Sequence, residues 1–327
     1  MPDAAQGSGE FDLIERYFAP LSAGAPGAFS LTDDAAEFVV SGSLIVSCDA
    51  IVEGVHFLAT DLLSTVAQKA LRVNLSDMAA KGGKPTGWLL TLAWPKGRNV
   101  AEIADLAAGF ANDVAQFGVP LIGGDTVSTP GPLMLSVTVF GMPLGAGMVR
   151  RAGAKAGDLV CVTGTLGDGW LGLQTAQGKR LGLDAEHGAF LTTRYQVPCP
   201  RLEAATAVSH FASASMDVSD GLIADAGHLA KASNVALRLY TDAIPLSTPA
   251  AKWLEAQDSR TEALVRLVTG GDDYEILCTV PPALFNAFLA EAALPITVIG
   301  ICVDGAGVEL MHKGAALDIP SRGWVHF

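Results

Sequence analysis

Residues 69–95, KALRVNLSDMAAKGGKPTGWLLTLAWP, carry a helical repeat into a glycine-rich turn and out again as an apolar extended run. The helical spacing reaches back to Asp61, with Leu63, Val66, Ala67, Ala70, Leu71 and Met78 along one apolar face. Asn74 and Asp77 are three residues apart and so share a face of that helix. Trp88–Trp94 reads as the strand that follows. Toward the N-terminus, EFVVSG (37–42) and SLIVSCDAIVEGVHF (43–57) are strand candidates. EFDLIERYFAP (10–20) spaces Phe11, Ile14, Glu15 and Phe18 as a helix, with Pro20 as its stop. Toward the C-terminus come a helix over Val100–Phe117, then strands in PLIGGDTV (120–127) and LMLSVTVFGMPL (133–144).

The stretch GAGMVRRAGAKAGD (145–158), glycine-rich and basic, marks a domain boundary and divides the chain into 1–148 and 149–327. At 327 residues the chain is long enough for two domains. Beyond the boundary, strands are expected in DLVCVTGTLG, VALRLY and ITVIGICV, with helices beginning at Trp170 and over Gly221–Ser233. Strands and helices mix without strict βαβ alternation, so the fold class is α+β rather than a doubly wound sheet.

A formal charge of −13 argues against a nucleic-acid partner, because backbone recognition needs clustered Lys and Arg. It leaves room for a phosphate ligand if cations neutralise part of the acidic surface. The five cysteines are odd in number, widely spaced and without a CxxC pair, which indicates neither a disulfide framework nor a zinc site. No apolar run approaches the roughly 18 residues of a membrane helix, and MPDAAQGSGEFDLIERYF lacks the basic and apolar regions of a signal peptide. The expectation is a cytoplasmic protein with no membrane partner.

Aspartates recur where extended runs meet glycine or a helix start: Asp33 and Asp34, Asp49, Asp77, Asp125, Asp217 and Asp220. Singly each has an ordinary reading, Asp61 and Asp220 as helix caps and Asp125 as a turn residue. Asp217 and Ser219 alternate and so point the same way along a strand end. Brought together, such carboxylates repel and need cations; hard oxygen donors favour Mg²⁺, which keeps waters and takes phosphate ligands. A Walker A loop is absent. Gly167, Gly169 and Gly172 match G-x-G-x-x-G after a strand, but no acidic ribose partner is placed, and a phosphate-facing or plain turn reads as well. By themselves His56 is an ordinary residue in an apolar run, Trp324 a tail anchor, and Arg150 and Arg151 solvated linker charges.

In order along the chain, GEFDLIERYF, SCDAIVEGVHF, the 69–95 stretch, LIGGDT, RRAGAKAGDLVCVTGTLGD, MDVSDGLIADAGHLAKAS, TGGDDYEILCTV and the terminal GWVHF resemble the thiamine-monophosphate kinases of the aminoimidazole-ribonucleotide synthetase superfamily. The resemblance spans nearly the whole chain. It implies two α/β domains, the strands of residues 1–148 forming a barrel across a homodimer and binding ATP and Mg²⁺, with 149–327 packed beside it. It implies transfer of the γ-phosphoryl group of ATP to thiamine monophosphate, in line and without a covalent nucleophile, as the last step of thiamine diphosphate synthesis. Carried over by position, Asp34, Asp49, Asp77, Asp125, Asp217 and Asp220 resemble Mg²⁺ ligands, flanked by Ser47 and Cys48. Gly124, Asp125, Arg151 and Ser219 resemble ATP contacts, and His56, Asp272 and Trp324 substrate contacts.

Three departures stand out: SLTDD where the family has a glycine-rich loop, Cys48 where it often has threonine, and Asp272 in place of a glutamate. Among superfamily relatives, selenophosphate synthetases carry a reactive cysteine or selenocysteine in an N-terminal loop, and this chain has none before Cys48. Hydrogenase-maturation relatives end in a cysteine tail where this chain reads WVHF. A sensor that kept the fold and lost turnover would be marked by missing aspartates, and all are present.

Overall fold

The computed structural model describes residues 10–33, 35–37 and 39–319. The chain divides into two compact units, residues 1–74 with 85–142, and residues 75–84 with 143–327.

In the first unit, α1 (Glu10–Leu13) runs into a π turn at Ile14–Phe18 and a 3₁₀ turn at Ala19–Ser22. The single helix expected over 10–20 is therefore three short turns, and Pro20 sits inside the first turn of the last, where its missing N–H costs nothing. Then come β1 (Ile45–Val52), α2 (Leu63–Ala80), β2 (Gly83–Pro95), α3 (Ile103–Phe117), β3 (Leu121–Thr129) and β4 (Met134–Pro143). The sheet order is β1-β4-β2-β3, with β1 and β4 antiparallel and β2 and β3 parallel. With β1 and β3 at its edges the sheet is open, and the described residues form no closed barrel.

Alternation decides which face of this sheet is covered. Leu135, Val137 and Val139 of β4 are fully buried, while their neighbours Ser136, Thr138 and Phe140 are half-buried. The Trp88 ring of β2 lies 4.8 Å from Phe110 of α3, and its Nε1 donates to Val119 O. Arg72 of α2 and Asp113 of α3, both buried, pair at 2.7 Å.

Two expectations change here. EFVVSG forms no strand among its described residues, and Val39 is 92 % exposed; apolar side chains do not make a strand without a partner ladder to hydrogen-bond. The helix begins at Leu63 rather than Asp61, whose Oδ2 accepts from Leu58 N–H and closes the turn before it.

The second unit contains β5 (Leu159–Thr163), α4 (Asp168–Ala176), α5 (Ala185–Gln196), α6 (Ala205–Phe211), β6 (Ala214–Asp217), α7 (Leu222–Ser233) and β7 (Ala236–Tyr240). It continues with α8 (Thr248–Glu255), α9 (Arg260–Thr269), β8 (Ile276–Val280), α10 (Phe285–Glu291), β9 (Ile296–Val303), β10 (Gly307–His312) and β11 (Ala315–Ala316). Its sheet runs β11-β10-β7-β9-β5-β8-β6, with β10 and β7 parallel and every other neighbouring pair antiparallel. Both faces carry helices, which is why β8 is buried at every position. One core joins Val160, Val162, Met216 and Leu277 to Leu171, Leu191, Leu222, Leu229, Trp253 and Leu267. The other joins Cys161, Ile276 and Cys278 to Ala79, Ala80, Ala207, Val208 and Phe288. Cys161, Cys278 and Cys302 are small residues of these cores.

At Gly172 a Cβ would lie 2.1 Å from Leu191 O and 2.7 Å from Tyr195 Cβ, so α4 and α5 meet backbone to backbone there. Gly172→Ala is expected to cost about 1–3 kcal/mol by forcing them apart. Gly188→Ala, whose new methyl meets only Thr175 Cγ2 at 3.5 Å, should instead stabilise α5 by about 0.5–1 kcal/mol. Urea midpoints of the two variants test the contrast.

Candidate active site

In the first unit, edge strand β1 carries Ser47, Cys48 and Asp49. Asp49 N–H donates to Asn74 Oδ1 of α2 at 3.0 Å, and Asn74 Nδ2 donates to Ala70 O, so the helix fixes the strand where Asp49 is exposed. The Cys48 thiol faces Thr138, whose hydroxyl donates to it at 3.2 Å, and Ser136. Strand alternation then turns Ser47 and Asp49 to the opposite face. Cys48 therefore offers that face its backbone and not its sulfur. On β3, a Cβ at Gly124 would lie 2.0 Å from Leu90 O, so only glycine lets β3 approach β2 there; Asp125 follows, exposed. His56 sits in the turn after β1. Its Nδ1 accepts from Val52 N–H at 3.1 Å, which places the proton of a neutral ring on Nε2, and its carbonyl accepts from buried Lys69 Nζ at 2.9 Å.

In the second unit, the end of α2 packs against the end of β6. Ser76 Oγ donates to Asp217 Oδ2 at 2.7 Å, and Lys81 Nζ donates to Ser215 O at 2.6 Å. Asp217 is 5 % exposed. Burial, then the charge of Asp77, push its carboxyl well above the usual range, against the Ser76 bond and the Lys81 charge. Burial, then the Arg151 guanidinium, bring the half-buried Lys81 ammonium down to about 8, opposed by Asp217 and Asp77. Arg151 is exposed; its carbonyl accepts from Ser233 Oγ at 2.9 Å, while Ser215 N–H donates to Arg150 O.

The strand ends at Asp217, so Ser219 belongs to the following turn rather than to an alternating edge. Asp220 does not cap α7 either; Gly221 does. Asp225 Oδ2 accepts the N–H groups of Ser219 and Asp220 at 3.0 and 3.1 Å and holds the turn. Burial, then the Asp220 charge, raise the Asp225 carboxyl to about 7, against those two bonds and Arg151. The same turn grips the loop that bears Asp272: Asp272 N–H donates to Ser219 O at 2.9 Å and Tyr274 N–H to Val218 O at 2.8 Å. Asp272 and Tyr274 both adopt left-handed backbone, φ 70° and 52°, and Tyr274 Oη donates to Asp272 Oδ1 at 3.1 Å.

Between them, Asp273 turns inward. Its carboxylate accepts Gly167 N–H at 2.7 Å and Gly169 N–H at 3.0 Å, so the N-terminus of α4 is filled by the chain's own anion. The G-x-G-x-x-G match is thus a loop anchor rather than a phosphate cradle, with Gly172 serving helix packing. Glu275, fully buried, pairs with Arg194 at 2.9 Å and Arg201 Nε at 2.7 Å and accepts from Thr163.

Asp34 and Trp324 lie outside the described residues. Among the described residues no three His, Cys, Asp or Glu side chains converge as a ready metal cage. What the second unit offers is a close pair, Asp77 and Asp217, with Ser76 beside it. All are hard oxygen donors, and their repulsion is only partly offset by Lys81. That donor set suits Mg²⁺, which completes its shell with waters and phosphate oxygens.

Lys81, Asp225 and Asp273 were not singled out in the sequence. Asp225 had one usable signal, its position in the first turn of the helix after Asp220.

Family models of AIR synthase related protein match the chain, the N-terminal domain at residues 32–142 and the C-terminal domain at 155–313. The chain is 45 % identical over 323 residues to thiamine-monophosphate kinase of Caulobacter vibrioides, covering 97 % of this chain and 90 % of that protein. It is 34 % identical to the Escherichia coli K12 enzyme, covering 98 % of each. The solved structure of AaThiL complexed with AMPPCP and TMP superposes with a TM-score of 0.78 at 31 % identity, covering 99 % of this chain and 100 % of that one. The hydrogenase maturation protein HypE, at 17 % identity and a TM-score of 0.78 over 97 % of this chain and 96 % of its own, shares the fold.

Asp225→Ala would strand two N–H groups and is expected to cost about 1–3 kcal/mol. Asp225→Asn, which keeps an acceptor oxygen, should recover most of that loss. Chemical denaturation of both variants reads the difference, and equal losses would show that Asp225 does not act through the turn.

Proposed function

The chain belongs to the AIR synthase related family, among its thiamine-monophosphate kinases, and from that premise we propose how it converts ATP and thiamine monophosphate into ADP and thiamine diphosphate. One observation carries the reading: 45 % identity to a thiamine-monophosphate kinase across 97 % of this chain. A neighbouring structure of the same fold holding AMPPCP and TMP supports it.

The task is to bring two anions together in line, so charge neutralisation and alignment dominate and no covalent nucleophile is needed. We assign Asp34, Asp49, Asp77, Asp125, Asp217 and Asp220, with Ser47 and the Cys48 backbone, as the ligands that hold Mg²⁺. When bound, Mg²⁺ would offset the negative charge of the phosphate groups. Gly124 gives β3 a bare backbone beside the nucleotide, Ser219 offers a hydroxyl from the turn that Asp225 braces, and Arg151 adds a bidentate guanidinium for a phosphate. His56, through Nε2–H, together with Asp272 and Trp324 orient the acceptor. Trp324 supplies a flat face for a cationic ring.

The homodimer with a shared barrel is part of the same proposal. The first unit's sheet supports it: both edges are open, and Val46 and Val127 are 53 % and 44 % exposed. In this reading residues 1–148 bind nucleotide and dimerise, and 149–327 form the second α/β domain. No described helix is long and apolar enough to cross a membrane, in keeping with the cytoplasmic setting we assign.

Purified protein with ATP and Mg²⁺ should yield ADP and thiamine diphosphate in equal amounts from thiamine monophosphate, and none from thiamine. EDTA should abolish the product. Asp217→Asn should lower turnover about 100-fold or more with the fold retained by circular dichroism. Absence of thiamine diphosphate from the wild-type protein would sink the reading.

A further inference from the structure

Lys81 has no part in the reaction as assigned above, yet it stands where that reaction is most charged. It lies one helical turn after Asp77, on the same side of the chain's second helix, and its N–H donates to Asp77 O. Its ammonium donates at 2.6 Å to Ser215 O, two residues before Asp217 on β6. Ser76 makes the companion tie to Asp217 at 2.7 Å. The helix end and the strand end are therefore fastened at two points, one neutral and one carrying a positive charge. Neighbouring segments lock the arrangement: Lys81 O accepts from Val149 N–H, and Gly82, φ 65°, passes so close to Ser209 that a Cβ would lie 2.6 Å from its Cβ.

A cation fixed so near two carboxylates does two things. It relieves their repulsion while no metal is bound, and it opposes the arrival of a second, divalent cation. We infer that Lys81 is the resident counter-ion of the Asp77–Asp217 pair, a positioning residue that keeps the pair assembled before Mg²⁺ binds and weakens Mg²⁺ binding in return. This rests on the metal assignment proposed above. It adds a property that assignment does not contain, namely that the protein holds its carboxylates in place without metal and exchanges metal readily.

The test needs no substrate. Melting temperatures of wild type, Lys81→Met and Lys81→Arg are measured in EDTA and across a MgCl₂ titration. Lys81→Met keeps the length and loses the charge; Lys81→Arg keeps the charge. In EDTA, Lys81→Met should melt roughly 2–5 °C below wild type, with the gap closing as Mg²⁺ saturates and Lys81→Arg staying near wild type. The MgCl₂ concentration for half the shift should fall about three- to tenfold in Lys81→Met, because one opposing charge is gone. If Lys81→Met folds only in Mg²⁺, the inference is supported in its strongest form.

A loss of stability in Lys81→Met that is the same with and without Mg²⁺ would overturn it, since that is packing alone. Weaker Mg²⁺ binding in Lys81→Met, failure to fold even in Mg²⁺, or no Mg²⁺-dependent shift in any of the three proteins would also overturn it. Wild-type turnover of thiamine monophosphate, assayed separately, reports on the proposed function whichever way the melting data fall.

Discussion

A buried carboxylate, Asp217, feels the charge of the half-buried Asp77, and the second unit is arranged around the cost of keeping the two together. Removing an anion from water is unfavourable, and a second anion beside it compounds the penalty. The raised proton affinity of Asp217 reports both effects, burial first and Asp77 second. Nothing local in β6 would hold such a residue. It is held because β6 is an edge strand of a seven-stranded sheet whose core, from Ala79 and Ala80 through Cys161 and Cys278 to Phe288, clamps the helix end against it. Apolar packing elsewhere offsets the electrostatic strain at this point, and a site built this way is poised to gain energy from an added cation.

The loop at 270–274 shows the same logic with backbone instead of charge. Two non-glycine departures into left-handed space, at Asp272 and Tyr274, are unfavourable and persist only where the surroundings over-determine them. Here the surroundings do: Asp273 is pinned by Gly167 and Gly169, Glu275 by Arg194 and Arg201, and the loop's own N–H groups by Val218 and Ser219. These constraints leave Asp272 half-buried, its Oδ1 accepting from Tyr274 Oη. Because the Asp272 N–H is bonded to the carbonyl of Ser219, the 270–274 loop and the turn that follows β6 share a backbone contact. A shift in one is felt in the other.

What the sequence made legible follows from how local each signal is. The alternation of LSVTVFG, the helical face from Leu63 to Met78 and the apolar runs around Cys161 and Cys302 each depend on residues a few positions apart, and each became the expected element. Val39 and Val40 look equally like a strand, but a strand needs a neighbour, and none of the described residues pairs with them. Asp217 and Asp77 were readable because acidic residues at element ends are conspicuous. Lys81, Asp225 and Asp273 were not, since their roles lie in bonds to residues far along the chain or to backbone atoms that no side-chain pattern reveals. The glycines at 167, 169 and 172 invited a phosphate reading that only the position of Asp273, over a hundred residues later, decides.

That last point bears on how an acidic protein handles two anions. The start of α4 is a natural anion site, glycine-rich and at the positive end of a helix, yet Asp273 occupies it and so closes it to a ligand phosphate. Ahead of α7, Asp225 takes the N–H groups of the turn at Ser219 and Asp220. These two carboxyl groups spend backbone donors of the second unit on holding loops. On the function proposed here, phosphate charge must then be met by cations: Mg²⁺ held by the carboxylates, with the exposed Arg151 guanidinium beside them. Affinity for ATP thereby becomes conditional on metal. A protein with a formal charge of −13 gains a simple form of selectivity from this, because free anions without a divalent cation find acidic surface rather than a ready pocket.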